Sequence, residues 1–330
     1  MASRRHSSTE SEFEIRLRKA ARASRATGPQ GFLPGNGHVL LVPPAPAPPK
    51  LDVALKRQYR RYRKNLRRCQ EHFSETAVHD FRVETRRLLS LVRLLDPFLT
   101  TGLAARIEVR LKRHLDLFGD LRDAQVQLRI VGRMRRAFSP AAGFYDWLRK
   151  QEKRHGQSAA RGVRRLKTRR LRAWITDCRR QAARQREKSS PNAVALLLAY
   201  GVGRAFERAR RCQSQIDPGL PKTIHRTRVA FKSFRYMVEM LADFLPWADA
   251  RVLARLRRYQ TLMGDIQDNE VLMAAAARYL RKCKAGPAAT DAFQREFLRR
   301  RQALIQRYLR QADQLRRFWP PPGFAVKAVL

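Results

Sequence analysis

Two stretches of this chain place the same cations behind a histidine at the same intervals. His79, Arg82 and Arg86 stand at i, i+3 and i+7, and His225, Arg228 and Lys232 repeat that spacing. On a helix turning 100° per residue, His79, Arg82, Arg86 and Arg93 fall within about 60° of one another. Phe81, Leu88, Val92 and Leu95 lie opposite them as an apolar stripe. In the second copy His225, Arg228, Lys232 and Arg235 share a face, with Phe231, Phe234, Val238 and Leu241 across from it. Cations stacked along one face repel unless an anion neutralises them. Guanidinium groups grip phosphate oxygens two at a time, and an ammonium adds a point charge. The chemistry on offer is recognition of a polyanion. A solvated basic face would account for one such stripe, but it gives no reason for the spacing to recur.

Each histidine sits in the first turns of its helix, where the dipole favours an anion. Contact with a bound phosphate and a purely structural hydrogen bond both fit that position. No nucleophile lies nearby in sequence and no acid partner stands at a convincing spacing, so no catalytic residue is expected.

The elements that must carry these faces are helices. From Leu51 onward apolar residues recur every three or four positions, and long stretches lack Gly and Pro. Breaks are expected near Ser74, 97–102, Gly119-Asp120, Ser139-Pro140, 189–191, 217–221, Pro246, Gly264-Asp265 and Gly286-Pro287, which divides the body into nine or ten helices. The heavily basic residues 140–188 should form one or two long ones. Residues 1–50 differ: 28–37 are turn-rich and 43–49 form a polyproline-type spacer, so this arm is expected to be disordered. Residues 319–330 form a C-terminal tail.

An internal repeat orders the body. Val78-His79-Asp80-Phe81-Arg82-Val83 is matched by Ile224-His225-Arg226-Thr227-Arg228-Val229. Forty residues after His79 comes Gly119-Asp120-Leu121-Arg122-Asp123, and 39 after His225 comes Gly264-Asp265-Ile266-Gln267-Asp268. Upstream, Arg67-Arg68-Cys69-Gln70 is echoed by Arg210-Arg211-Cys212-Gln213. Three landmarks in one order predict a duplicated all-α unit, 51–187 and 190–318, packed about a pseudo-two-fold axis with the two cationic helices walling a basic groove or pore. Lys112-Arg113 and Arg257-Arg258 hold matching positions one helix before the Gly-Asp elements and would extend that groove. In those elements Gly119 and Gly264 suit helix C-caps, and Asp120 and Asp265 suit the next N-caps. Asp123 and Asp268 then fall in the first turn, where they could orient a basic side chain. Capping and orientation are preferred to metal binding, and no metal or cofactor is expected.

Charge agrees with the faces. Of 330 residues, 71 are Lys or Arg and 28 are Asp or Glu, a formal charge of +43, yet 44% are hydrophobic, enough to build a core. Such a charge strains a compact chain unless an anionic partner neutralises it. Cys69, Cys178, Cys212 and Cys283 are scattered without C-x-x-C or metal-ligand spacing, and no secretory signal is present, a reduced cytoplasmic pattern. No apolar stretch reaches the roughly 20 residues of a membrane span, so no membrane partner is expected.

These residues resemble the CHAD family, the conserved histidine α-helical domain. Its H-x-x-R-x-x-x-[RK] hallmark is similar to His79/Arg82/Arg86 and to His225/Arg228/Lys232. Its L-G-x-x-R-D-x-x-V element resembles residues 118–126 and, less closely, 263–271. The likeness spans about 51–318. It implies two four-helix units around a basic pore, binding of inorganic polyphosphate without catalysis, and association with bacterial polyphosphate granules in the cytoplasm. The two copies depart from each other in places. Leu89 stands where the second has Arg235, Glu239 stands where the first has Arg93, and Gln267 replaces Arg122.

Two other readings stay open at this stage. Charge alone fits a nucleic-acid binder, although the faces carry few aromatics and no familiar DNA- or RNA-binding signature. A phosphatase or kinase accessory to polyphosphate metabolism would need a P-loop, an acidic metal cluster or a nucleophile motif, and none is present.

Overall fold

The computed structural model describes residues 50–319 other than 246. Apart from Lys50 and Trp319, the expected N-terminal arm and C-terminal tail lie outside the described residues. Among these residues there are ten α-helices and no strand. In chain order they are α1 (Leu51–Glu71), α2 (Glu75–Leu95), α3 (Leu103–Asp116), α4 (Gly119–Met134), α5 (Ala141–Arg164), α6 (Arg169–Lys188), α7 (Pro191–Ser214), α8 (Pro221–Leu241), α9 (Ala250–Lys282) and α10 (Pro287–Leu309).

Local chemistry marks five of the ten α-helix starts among the described residues. Ser74 accepts from Ala77 N at 3.2 Å to open α2, Ser190 accepts from Ala193 N at 3.2 Å to open α7, and Asp249 accepts from Val252 N at 2.7 Å to open α9. Pro191, Pro221 and Pro287 occupy first positions, where a missing N–H costs nothing. The basic stretch 140–188 resolves into two helices, α5 and α6.

One expected break does not occur. α9 runs unbroken for 33 residues through Gly264-Asp265, whereas the matching stretch of the first half is interrupted between α3 and α4. The cause lies at the preceding residue. Phe118 leaves the helical path (φ −113°, ψ 9°) and packs its ring on Phe81 and Phe73, at centroid distances of 5.6 Å and 6.5 Å. Its counterpart Met263 is unbranched and is buried without leaving α9.

The packing brings the two cationic helices together. α2 lies against α1, α3 and α8, while α8 lies against α7, α9 and α2. Both apolar stripes are buried in one cluster: Phe81, Leu88, Val92 and Leu95 from α2 with Phe231, Phe234, Val238 and Leu241 from α8. Burying each such side chain contributes about 2 kcal/mol, so the cationic faces are fixed by what lies behind them. A second cluster joins α4 and α5 to the distal parts of α9 and α10 through Val131, Phe144, Leu272, Phe293 and Phe297. The repeated Cys-Gln landmark anchors both halves. Gln70 donates to Val163 O at 3.0 Å, and Gln213 donates to Ala312 O. No helix among the described residues is long and apolar enough to cross a membrane.

Candidate functional site

At the junction of α2 and α8, cations from both helices act on one another. Lys232 lies in the field of Arg86 and Arg82 across the junction and of Arg228 and Arg235 on its own helix. Burial, reinforced by these four charges, pushes its ammonium down to about 6. Arg82 is lowered to about 10 by burial, then by Arg86 and by Arg122 of α4. Its Nη1 donates to Leu115 O at 3.0 Å, which fixes the guanidinium at the C-terminal end of α3. Burial also lowers Arg228; Arg86 adds to the effect, and Asp268, Tyr236 and Asp123 oppose it.

Two carboxylates enter the same cluster. Burial raises Asp268 while Arg228, Arg122, Arg129 and Lys232 hold it down. Asp123 is raised by desolvation and next by Asp268, while Arg82 opposes. These acids, at matching positions of the repeat, thus feel each other and the site arginines. Four guanidinium groups, Arg82, Arg86, Arg122 and Arg228, outnumber them, with the Lys232 amine among them. The excess is positive and partly desolvated, so an anion placed there relieves repulsion and is itself poorly screened.

Asp120 and Asp265 do not cap helices. Phe118 holds the N-cap position of α4 without a side-chain bond, and Asp120 sits inside the first turn. Asp265 is interior to α9, where burial and Asp268 raise it. Gly119 and Gly264 are likewise helical residues and not C-caps.

Other residues of the expected faces are already neutralised inside the protein. Arg93 donates through Nε to Glu108 of α3 at 3.1 Å and through Nη1 to Ser233 of α8 at 3.2 Å. Lys112 reaches the same carboxylate at 2.7 Å, and Arg93 foremost holds Glu108 down at about 2. In the second half Arg235 is 7% exposed, donates to Glu239 at 2.6 Å and to Gln260 at 2.7 Å, and lies 4.1 Å over the Tyr236 ring. Arg257 shares Glu239 at 2.9 Å. Each half therefore holds two cations on one carboxylate. The mismatch of Arg93 with Glu239 is an exchange of sign compensated on the neighbouring helix. Arg113 and Arg258 are exposed, and neither is among the principal charges acting on Arg82, Arg228 or Lys232.

The histidines differ. His79 is exposed beside Asp80, whose carboxylate bonds Arg68 at 3.0 Å. His225 is half-buried, and burial, then Arg228 and Lys232, lowers its pKa while Gln267 opposes. Among the described residues, its Nδ1 and the Nε of Arg228 are buried without a hydrogen-bond partner, while the His225 ring is within hydrogen-bonding reach of Gln267. Arg129, Tyr236 and Glu108 take part in these networks and were not singled out from the sequence, while Arg122 and Glu239 were noted only as differences between the two copies. Arg122 and Arg129, seven residues apart on one helical face, carry a detectable signal of the kind used for α2.

The model of the CHAD domain family matches residues 53–277. Comparison with curated proteins gave no match. The crystal structure of the CHAD domain from the plant Ricinus communis is similar at a TM-score of 0.54 and 18% identity, covering 87% of this chain and 96% of that one. PptA from Streptomyces chartreusis is similar at 0.58 and 17%, covering 80% and 98% respectively. At these identities the likeness is one of fold.

Proposed function

The chain belongs to the CHAD domain family, and on that premise we propose that it binds inorganic polyphosphate without catalysing its turnover. The observation that carries this reading is the meeting of Arg82 and Arg86 with Arg228 and Lys232 in one mutually repelling, partly buried field. A linear chain of phosphates supplies what such a field lacks: regularly spaced negative charge, each oxygen able to accept from a guanidinium fork. The two helices form the walls of a basic groove between duplicated halves. Asp123 and Asp268 steer the arginines, and the Arg228 Nε turns its N–H to a phosphate oxygen. The setting that fits this activity is the cytoplasm, at polyphosphate granules.

The test is a variant carrying Arg82→Ala, Arg86→Ala, Arg228→Ala and Lys232→Ala. It should lose polyphosphate binding with its helicity intact, since it removes repulsion and spares both apolar stripes. Undiminished binding by a folded variant overturns the assignment.

A further inference from the structure

Away from the cationic cluster, α9 and α10 leave a cleft of about 330 Å³ between them, near the turn that joins them. That volume falls within the range of small-molecule sites, roughly 300–1,000 Å³. The floor is apolar, with Met273, Ala276 and Leu280 across from Phe293 and Phe297. Residues 274–277 are four consecutive alanines, whose methyl groups leave open what larger side chains would fill. Phe293 is held by edge contacts to Phe138 and Phe144, at centroid distances of 5.1 Å and 5.8 Å, so its ring does not swing in to close the gap. Ala277 and Gln294 are exposed, and between them the cleft opens to solvent.

No acidic side chain lines the cleft, and two exposed cations, Arg281 and Lys284, stand at its rim. Among the described residues neither is bonded to a carboxylate. Lys284 is held there by its backbone. Ala285 N donates to Leu280 O at 3.0 Å and Lys284 N to Arg281 O at 3.3 Å, the bonding of a Schellman turn. That turn needs a left-handed residue, which glycine supplies without strain. Lys284 takes the place at φ 49°, the one non-glycine residue with positive φ among those described. The strained position keeps a cation at the mouth of the cleft where glycine would leave none.

We infer that this cleft is a second binding site, which takes a small amphipathic carboxylate of the medium-chain fatty acid class. The acyl chain lies over the alanines between Leu280 and Phe293, and the carboxylate stays at the rim with Arg281 and Lys284. A neutral chain leaves both cations unused, and a polyanion finds an apolar floor where its charges would have to go. The site is separate from the cationic cluster: Arg281 lies 13 residues beyond Asp268, about 20 Å along α9.

The experiment titrates the full chain with decanoate and with decanol by calorimetry at physiological salt. Decanoate should bind once per chain, about tenfold tighter than decanol. Lys284→Gly should weaken decanoate about fivefold, leave decanol unchanged and raise the melting temperature, because the turn loses its strain. Ala277→Phe, at an exposed position, should fill the cleft and abolish binding of both with helicity intact. Several decanoates per chain, bound equally well by Ala277→Phe, would show general attraction to a surface of charge +43 and overturn the inference. Decanoate affinity equal to that of decanol, or unchanged in Lys284→Gly, overturns it as well. So does displacement of decanoate by polyphosphate, which would put the acid in the cationic cluster.

Discussion

Arg235 and Glu239 form a closed pair one turn apart on α8, with Nη1 donating to the carboxylate at 2.6 Å and both side chains about one-tenth exposed. Lys232, one turn earlier on the same helix, has no carboxylate bonded to it. The cationic face of α8 is therefore divided along its length. One part is consumed in holding helices together, and the other, around Lys232, has no carboxylate bonded to it among the described residues. The same division runs along α2, where Arg93 is held by Glu108 while the charge of Arg86 acts on Lys232.

Glu239→Gln should destabilise the fold by about 3 kcal/mol, because a buried guanidinium keeps its charge after its counter-charge is removed. Arg257, bonded to the same carboxylate, loses its partner as well. Urea titration measures this as a lowered midpoint with an unchanged slope. Polyphosphate affinity of the folded protein should stay within about twofold, a change of about 0.4 kcal/mol where a tenfold change takes about 1.4, because Arg235 and Glu239 are occupied with each other. A large loss of affinity at unchanged stability would place Glu239 and Arg235 in the binding site.

Lys232→Met should have the opposite balance. It removes a buried amine set among four guanidinium groups and keeps a similar volume, raising stability by about 2 kcal/mol at pH 7 while weakening polyphosphate binding. The pH dependence follows from the lowered folded value. Between about 6 and 10.5 the unfolded chain binds more protons at this lysine than the folded chain. The native protein therefore loses stability as pH falls through that window and loses no more below it. The methionine variant lacks this contribution, so its advantage should widen from pH 10 to pH 6 and then level off. An advantage independent of pH would show that the amine is not desolvated in the fold.

Gly264→Ala should stabilise the protein by about 0.7 kcal/mol, the usual penalty for glycine within a helix. A Cβ at this position would meet Arg228 Nε at 3.6 Å, an ordinary contact. Thermal unfolding should show a small upward shift. A lower melting temperature would mean that α9 needs the glycine for a bend.

Much of the fold could be read from the sequence because it is periodic. The stripes Phe81–Leu88–Val92 and Phe231–Phe234–Val238 repeat at helical spacing, and nothing but a core accommodates them. Ser74, Ser190 and Asp249 announce helix starts by local bonding alone. Gly264-Asp265 misled because its dipeptide resembles a cap. Tertiary packing overrode it: Leu262, Met263, Ile266 and Leu272 carry a buried stripe straight through. For the site, helical angle gave the direction of each cation but not its partner. Arg93 points along the same face as Arg86, yet its carboxylate, Glu108, comes from a different helix. Arg122 was read only as part of the repeated element, because that element was taken for a helix cap.

Binding should weaken steeply with salt, since each phosphate neutralised by a site cation releases condensed counter-ions. That behaviour is common to every polyanion, so the decisive measurement is a competition. Labelled polyphosphate bound to the full chain is challenged with unlabelled polyphosphate, duplex DNA or RNA at equal phosphate concentration and fixed salt. Unlabelled polyphosphate should displace the label, and both nucleic acids should leave most of it bound. Displacement by duplex DNA or RNA equal to that by polyphosphate would contradict the account.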